Sequence, residues 1–287
     1  MSAMKQCNRL KFQVENYYIV AKTSIFGYET SKRYQTGNPY NLMKLLVTFL
    51  AIIILPLLAH AQQLRVAVAA NAQFVAKALA TEFKKETGID AELIVGASGK
   101  FTTQMEQGAP FDVFLSADMK YPQELYSKGL TTSRPKEYAY GKLVFWTLSN
   151  VNISKGLPAL TQPAFNKVAI ANPKLAPYGE AAVQALIKLN LYQKVQPKIV
   201  YGESIAQVNQ YLLTGVVSAA LTAKSVVLDA AQAGKGKWVE VPSNLYQPIA
   251  QGAVILRSAA HQQQAQKFYT FIFSRRAKQI FENYGYQ

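Results

Sequence analysis

The chain has 287 residues, of which 50% are apolar, 16% charged and 11% aromatic. That composition builds packed domains and excludes a disordered, collagenous or disulfide-stapled protein. The 31 Lys and Arg against 16 Asp and Glu give a formal charge of +15. A single cysteine, Cys7, excludes an intramolecular disulfide and any zinc-finger spacing, and two histidines, His60 and His261, argue against a His-ligated metal or a Ser-His-Asp triad.

From Met43 the chain runs Met-Lys, then Leu45 to Leu58 as an almost unbroken apolar stretch, then Ala59-His60-Ala61. A basic start, an apolar core of about a dozen residues and an A-x-A site read as a secretory signal peptide over 43–61. The stretch is shorter than the roughly 20 residues that cross a bilayer. Cleavage after Ala61 makes Gln62 the first mature residue, and no Cys follows to carry a lipid. Residues 1–42 show neither helical nor strand periodicity. They read as an upstream extension from an over-extended start, with initiation at Met43; a cytoplasmic extension on an uncleaved anchor is the alternative. The expected mature chain is cysteine-free and still basic, with 24 Lys and Arg against 14 Asp and Glu. A cysteine-free exported chain fits the periplasm. Its cations are dispersed, with Lys84-Lys85, Lys235/Lys237 and Arg275-Arg276 as the clusters, so a nucleic-acid partner is not expected.

Short β-type runs then alternate with helical patterns. Residues 64–69 are β-like, 74–83 helical, 91–95 β-like, 99–107 helical, 113–115 a buried strand and 122–127 helical. Strands follow at 143–147, 168–171, 199–201, 219–222 and 253–256. Helices are expected at 179–189, 205–213, 225–233, 261–273 and 276–284. This alternation predicts an α/β protein with mostly parallel sheets. About 226 residues suit two lobes better than one open sheet. Crossing strands near 138–143 and 245–254 would join a first lobe (62–141 and 249–287) to a second (142–248).

Several strands end in a small, nearly uncharged loop that opens a helix: Ala69-Ala70-Asn71, Gly96-Ala97-Ser98-Gly99, Ala176-Pro177-Tyr178-Gly179 and Gly202-Glu203-Ser204-Ile205. Helix capping by Asn and Ser explains any one of them. Together, at the carboxyl ends of strands, they offer unpaired N–H groups and helix dipoles to an anion. Gly96-x-x-Gly99-Lys100 is two residues too short between its glycines for a P-loop, and Phe101 stands where Ser or Thr would hold magnesium. The same segment lacks the last glycine of a nucleophile elbow, and Ser98 has no histidine base. Asp112 and Asp118 flank 114–116; such a lone pair is more often structural than catalytic.

The segments VAVAANAQFVAKALATEFKKETG (66–88), GASGKFTTQMEQGAPFDVFLSAD (96–118), AIANPKLAPYGEAAVQAL (169–186) and IFENYGYQ (280–287) resemble the periplasmic molybdate-binding proteins of ABC transporters. The resemblance implies the two-lobed type II periplasmic binding protein fold, each lobe a mostly parallel sheet flanked by helices, with the ligand cleft between them. It implies a monomeric solute-binding protein, not an enzyme, that captures molybdate or tungstate and delivers it to an inner-membrane permease. No cofactor and no direct cation ligand are implied. Residue by residue, the oxyanion donors map onto Asn71, Ser98, Tyr178 and Ile205. Ala70 stands where some members carry a hydroxyl, and Thr222-Ala223 where some place a Tyr, whose contact Tyr178 would replace. A receptor for sulfate, thiosulfate or another small anion is the alternative, and an exported enzyme or sensor on the same fold a lesser one.

Overall fold

The computed structural model describes residues 63–287. The upstream extension and the signal peptide expected over 1–61 lie outside these residues. Ten strands form two five-stranded sheets. The first sheet has the order β2-β1-β3-β10-β4, from β1 (Leu64–Ala69), β2 (Ala91–Gly96), β3 (Val113–Leu115), β4 (Lys136–Gly141) and β10 (Ile249–Ile255). The second has the order β7-β6-β8-β5-β9, from β5 (Leu143–Thr147), β6 (Val168–Ala171), β7 (Ile199–Gly202), β8 (Ala219–Ala223) and β9 (Lys237–Glu240). Four strands of each sheet run one way. Only β10 in the first sheet and β5 in the second run against their neighbours. The chain steps from β4 to β5 through Lys142 alone and returns between β9 and β10.

The helices are α1 (Gln73–Thr87), α2 (Ser98–Glu106), α3 (Lys120–Ser127), α4 (Pro177–Lys188), α5 (Tyr192–Val195), α6 (Ile205–Leu213), α7 (Lys224–Val227), α8 (Gln262–Ile272) and α9 (Arg275–Asn283). Helix α1 buries Val75, Ala76, Leu79 and Phe83, a single face at helical spacing. It stops at Gly88, whose φ of 72° is the left-handed cap that glycine adopts without a Cβ penalty. Phe83 meets Phe268 of α8 edge to face at 5.1 Å, which ties α1 to α8. The opposite face of the first sheet packs Phe101, Phe111, Phe114 and Leu125 beneath α2 and α3. The core of the second sheet centres on Phe145, Trp146, Ile170 and Leu212 and continues into Ala69, Ala70 and Ala117 at the carboxyl ends of β1 and β3.

Helix α5, strand β9 and the helix expected over 225–233 depart from the sequence reading. The helix expected over 225–233 shrinks to α7 and gives way to turns, with Gly234 and Gly236 at φ of 78° and 69°. Strand β9 has no alternating apolar face, because an edge strand with three exposed residues of four needs none.

Gly179, in the first turn of α4, sets how closely that helix approaches β6. A Cβ there would collide with the Ala171 carbonyl oxygen and lie 2.7 Å from its carbon. Gly179→Ala should therefore destabilise the ligand-free protein by about 1–3 kcal/mol through overpacking, seen as a fall of several degrees in Tm. An unchanged melting curve would show that α4 can shift freely at this end.

Candidate functional site

A small cavity, with about 10 Å³ of space for the centre of a water-sized sphere, lies where the carboxyl ends of the two sheets face each other. Ala69, Ala70 and Asn71 follow β1, Gly96, Ala97 and Ser98 end β2 and open α2, and Ala117 follows β3. From the second sheet come Ala176, Pro177 and Tyr178 at the start of α4 and Ser204 and Ile205 at the start of α6. The four residues expected from the sequence, Asn71, Ser98, Tyr178 and Ile205, thus line one space. No Lys, Arg, His, Asp or Glu is among the lining residues. Room for little more than one water-sized sphere is far below the roughly 300–1,000 Å³ of pockets for organic ligands, so the space suits a small inorganic species.

Its walls are made of helix starts. Ser98 and Ile205 are the first residues of α2 and α6, and Tyr178 is the second of α4 behind Pro177. The main-chain N–H groups in a helix's first turn have no acceptor within the helix, and all three helices bring the positive end of their dipole here. Proline at the first position of α4 fits because it carries no N–H to be left unpaired. Ser204 caps α6, its Oγ accepting from Gln207 N at 3.4 Å.

Ser98 and Asn71 do not act as caps. Ser98 lies inside α2, behind Ala97, and its Oγ accepts from Ala117 N at 3.0 Å. That bond occupies a lone pair and leaves the hydroxyl proton to be donated. Asn71 sits in a short 3-10 turn, Ala70–Ala72. Both its amide hydrogens are engaged, Nδ2 donating to Gln251 Oε1 at 2.9 Å and to Tyr286 Oη at 3.1 Å. The side-chain donor expected at Asn71 is therefore turned away from the ligand space, leaving its main-chain N–H.

Behind the cavity lies a buried polar network that the sequence reading missed. Gln251, fully buried in β10, accepts at Oε1 from Tyr138 Oη at 2.7 Å as well as from Asn71, and donates from Nε2 to Tyr178 Oη at 3.3 Å. Tyr286 Oη donates to Asn71 O at 3.1 Å, and Ser225 Oγ donates to the same oxygen at 2.7 Å. Burial pushes the Tyr138 and Tyr178 phenols well above the usual tyrosine range and Tyr286 up to about 12. All three stay protonated at neutral pH. The one visible signal in the sequence was a glutamine inside the apolar strand Ile249–Ile255.

Besides the Gln251–Tyr178 and Tyr286–Ser225 contacts of that network, further bonds span the cleft. Gly99 N donates to Leu175 O at 3.0 Å, Tyr121 Oη to Lys174 O at 3.2 Å, and Ser225 Oγ to Asn71 O. Lys100 Nζ pairs with Glu203 Oε2 at 2.6 Å on the exposed side. Lys100 is thus committed to a carboxylate across the cleft and is not among the cavity's lining residues.

The sequence from residue 64 to 287 matches the family of bacterial extracellular solute-binding proteins. The chain belongs to that family. It is 39% identical over 229 residues to the molybdate-binding protein ModA of Azotobacter vinelandii, covering 79% of this chain and 91% of that one. ModA of Rhodobacter capsulatus is 38% identical over 242 residues, covering 83% and 94%. Among solved structures, the periplasmic molybdate-binding protein of Azotobacter vinelandii superposes with a TM-score of 0.75 at 33% identity, covering 78% of this chain and 99% of that one.

The remaining candidate groups of this solute-binding protein serve its framework. Asp112 accepts from Arg65 N at 2.7 Å and pairs with His261 Nδ1 at 3.0 Å, away from the cavity. Asp118 Oδ1 accepts from Tyr121 N and Ser116 Oγ, both at 3.2 Å, at the start of α3. Burial pushes its carboxyl up to about 6 against the pull of those bonds; Lys120 lowers it and Glu180 raises it. The folded state then holds this proton more tightly than the unfolded chain does, so stability falls as pH rises from about 4 through 6. The loss is at most about 3 kcal/mol. Asp118→Asn, which keeps an acceptor for Tyr121 N, should raise Tm above pH 6 and flatten the Tm profile between pH 4 and 6. A parallel shift at every pH would show that the carboxyl is not perturbed.

Proposed function

We propose that this solute-binding protein captures molybdate or tungstate in the cavity and delivers it to an ABC permease in the inner membrane. The oxyanion would be held by Asn71, Ser98, Tyr178 and Ile205. The observation that carries the reading is a small cavity without a charged residue, ringed by helix starts and by a hydroxyl whose proton is unspent. A cation would want carbonyls or carboxylates there, and an apolar ligand would leave the donors unpaired. The names of the two ModA relatives and of the solved periplasmic protein point the same way.

A tetrahedral dianion offers four oxygens and accepts about seven hydrogen bonds. At roughly 1.5–3 kcal/mol for each charge-assisted bond, these sum to about 10–20 kcal/mol before the losses of association, enough for a nanomolar Kd near −12 kcal/mol. Neutral donors also leave no buried, uncompensated cation when the anion departs. Sulfate has the same shape and charge with shorter bonds, so cavity radius discriminates. The closing bodies would be 62–141 with 249–287, and 142–248, working as a monomer in the periplasm without a cofactor. A hydrolytic role has no support here, since the His261–Asp112 pair is remote from the cavity lining.

Calorimetric titration of the mature protein should give tight binding of molybdate and tungstate and much weaker binding of sulfate. A protein that binds only sulfate, or none of the three, would overturn the reading. Ser98→Ala should weaken molybdate binding about ten- to a hundredfold, the loss of one charge-assisted donor. Lys100→Ala should cost less than tenfold, and less still at high salt, because the ion pair it breaks is exposed. If Lys100→Ala abolished binding while Ser98→Ala left it intact, a charge-paired site would replace the neutral one. The periplasmic form should begin at Gln62 by N-terminal sequencing; a retained 45–58 stretch would contradict that.

A further inference from the structure

We propose that Gln251 is a positioning residue for oxyanion capture, one that turns the phenolic proton of Tyr178 into the cavity. The inference rests on the reading of the cavity as an oxyanion site.

A phenol oxygen in the ring plane carries one proton and one good acceptor direction, so a donor bound on one side sends the proton to the other. Gln251 Nε2 is that donor, 3.3 Å from Tyr178 Oη, and no described residue accepts the Tyr178 proton. Tyr178 lines the cavity, so the anion is the acceptor at hand. The Gln251 amide is held in this sense by Asn71 Nδ2, donating to its oxygen at 2.9 Å, and by Tyr138 Oη, whose one proton faces that oxygen at the shorter distance, 2.7 Å, and Ser116 O at 3.1 Å. Turning it over alone would set its NH₂ against the Asn71 NH₂. The Ser98 hydroxyl is arranged by the same logic, with Ala117 N as its donor. The backbone leaves room for the pair at Gly141 of β4, where a Cβ would collide with Tyr178 Oη and lie 2.6 Å from Gln251 Nε2. Gln251 thus acts on the ligand through Tyr178 and Asn71 without needing to touch it.

The test is calorimetric titration with molybdate of wild type, Gln251→Leu, Tyr178→Phe, the double variant and Gln251→Glu, beside melting curves of each ligand-free protein. Tyr178→Phe should lose ten- to a hundredfold in affinity and Gln251→Leu about tenfold. The double variant should bind no more weakly than Tyr178→Phe, because the phenol is the route by which Gln251 acts. Gln251→Glu should bind poorly at pH 8, where a carboxylate takes the phenol's proton. It should recover towards wild type at pH 6, where a carboxylic acid can donate to Tyr178 and accept from Asn71 as the amide does. The titratable groups around it are the Tyr138, Tyr178 and Tyr286 phenols and, beyond them, Asp118, so each value is taken as a ratio to wild type at the same pH. If Gln251→Leu does not fold, the pH profile of Gln251→Glu decides. Losses that multiply in full in the double variant, or a Gln251→Glu ratio independent of pH, would overturn the proposal. So would a harmless Tyr178→Phe, which would mean that both amides invert and Asn71 donates instead. Wild type that binds neither molybdate nor tungstate would remove the oxyanion reading and this inference together.

Discussion

An anion held without a counter-charge depends on donors whose other obligations are already met. A hydroxyl can give its proton to a ligand only if its lone pair is occupied, and a helix-start N–H is free only because its helix offers it no acceptor. Much of the structure around the cavity serves those two conditions. Ala117 occupies Ser98 Oγ, and Gln251 occupies Tyr178 Oη. Helices α2, α4 and α6 are all started by strands that end at the same place. The lining is small because alanines at 69, 70, 97, 117 and 176 let these main-chain groups approach. A lysine in the same space would bind the anion more simply, and it would be left buried and unpaired once the anion departed.

That these four residues share one cavity was legible because it follows from strand-to-helix alternation. Each of Asn71, Ser98, Tyr178 and Ile205 stands just beyond a short apolar run and at the start of a helical one, a pattern local in sequence. Their duties were less legible. Ser98 and Asn71 read as caps because Ser and Asn favour that position, yet the first caps nothing and the second is bonded through its amide to residues 180 and 215 positions away. Nothing local announces a partner so distant. The same limit hid Ser225 and Tyr138, and it hid β9, whose place is set by pairing with β5 and not by any pattern of its own.

The bonds across the cleft differ in kind, and the difference matters for motion. Gly99 to Leu175 and Tyr121 to Lys174 are short-range and directional, so they form only when the two sides are fully together. The Lys100–Glu203 pair is exposed and acts over a longer range, so it can guide the last part of closure while adding little to the closed state. Ser225 reaches Asn71 beside the crossing strands, next to Lys224, whose N donates to Lys142 O.

The order of the strands carries a consequence for how the chain acquires this site. The second sheet is built from one uninterrupted stretch, 143–240, whereas the first waits for β10 and for Phe268, Phe281 and Tyr286, all beyond that stretch. As the chain emerges amino end first, the second sheet has all its strands while the first still lacks its antiparallel member. The long-range contacts that complete the first sheet are those with the greatest loop-closure entropy, and they come last. Asn71 takes its final place only when Tyr286, 215 positions further along, has docked on it. A chain cut back ahead of Tyr286 would therefore keep nearly all of the described strands and helices and lose the buttress behind the Asn71 loop, which makes the order of that loop a sensitive report on the docking of a segment more than two hundred positions away.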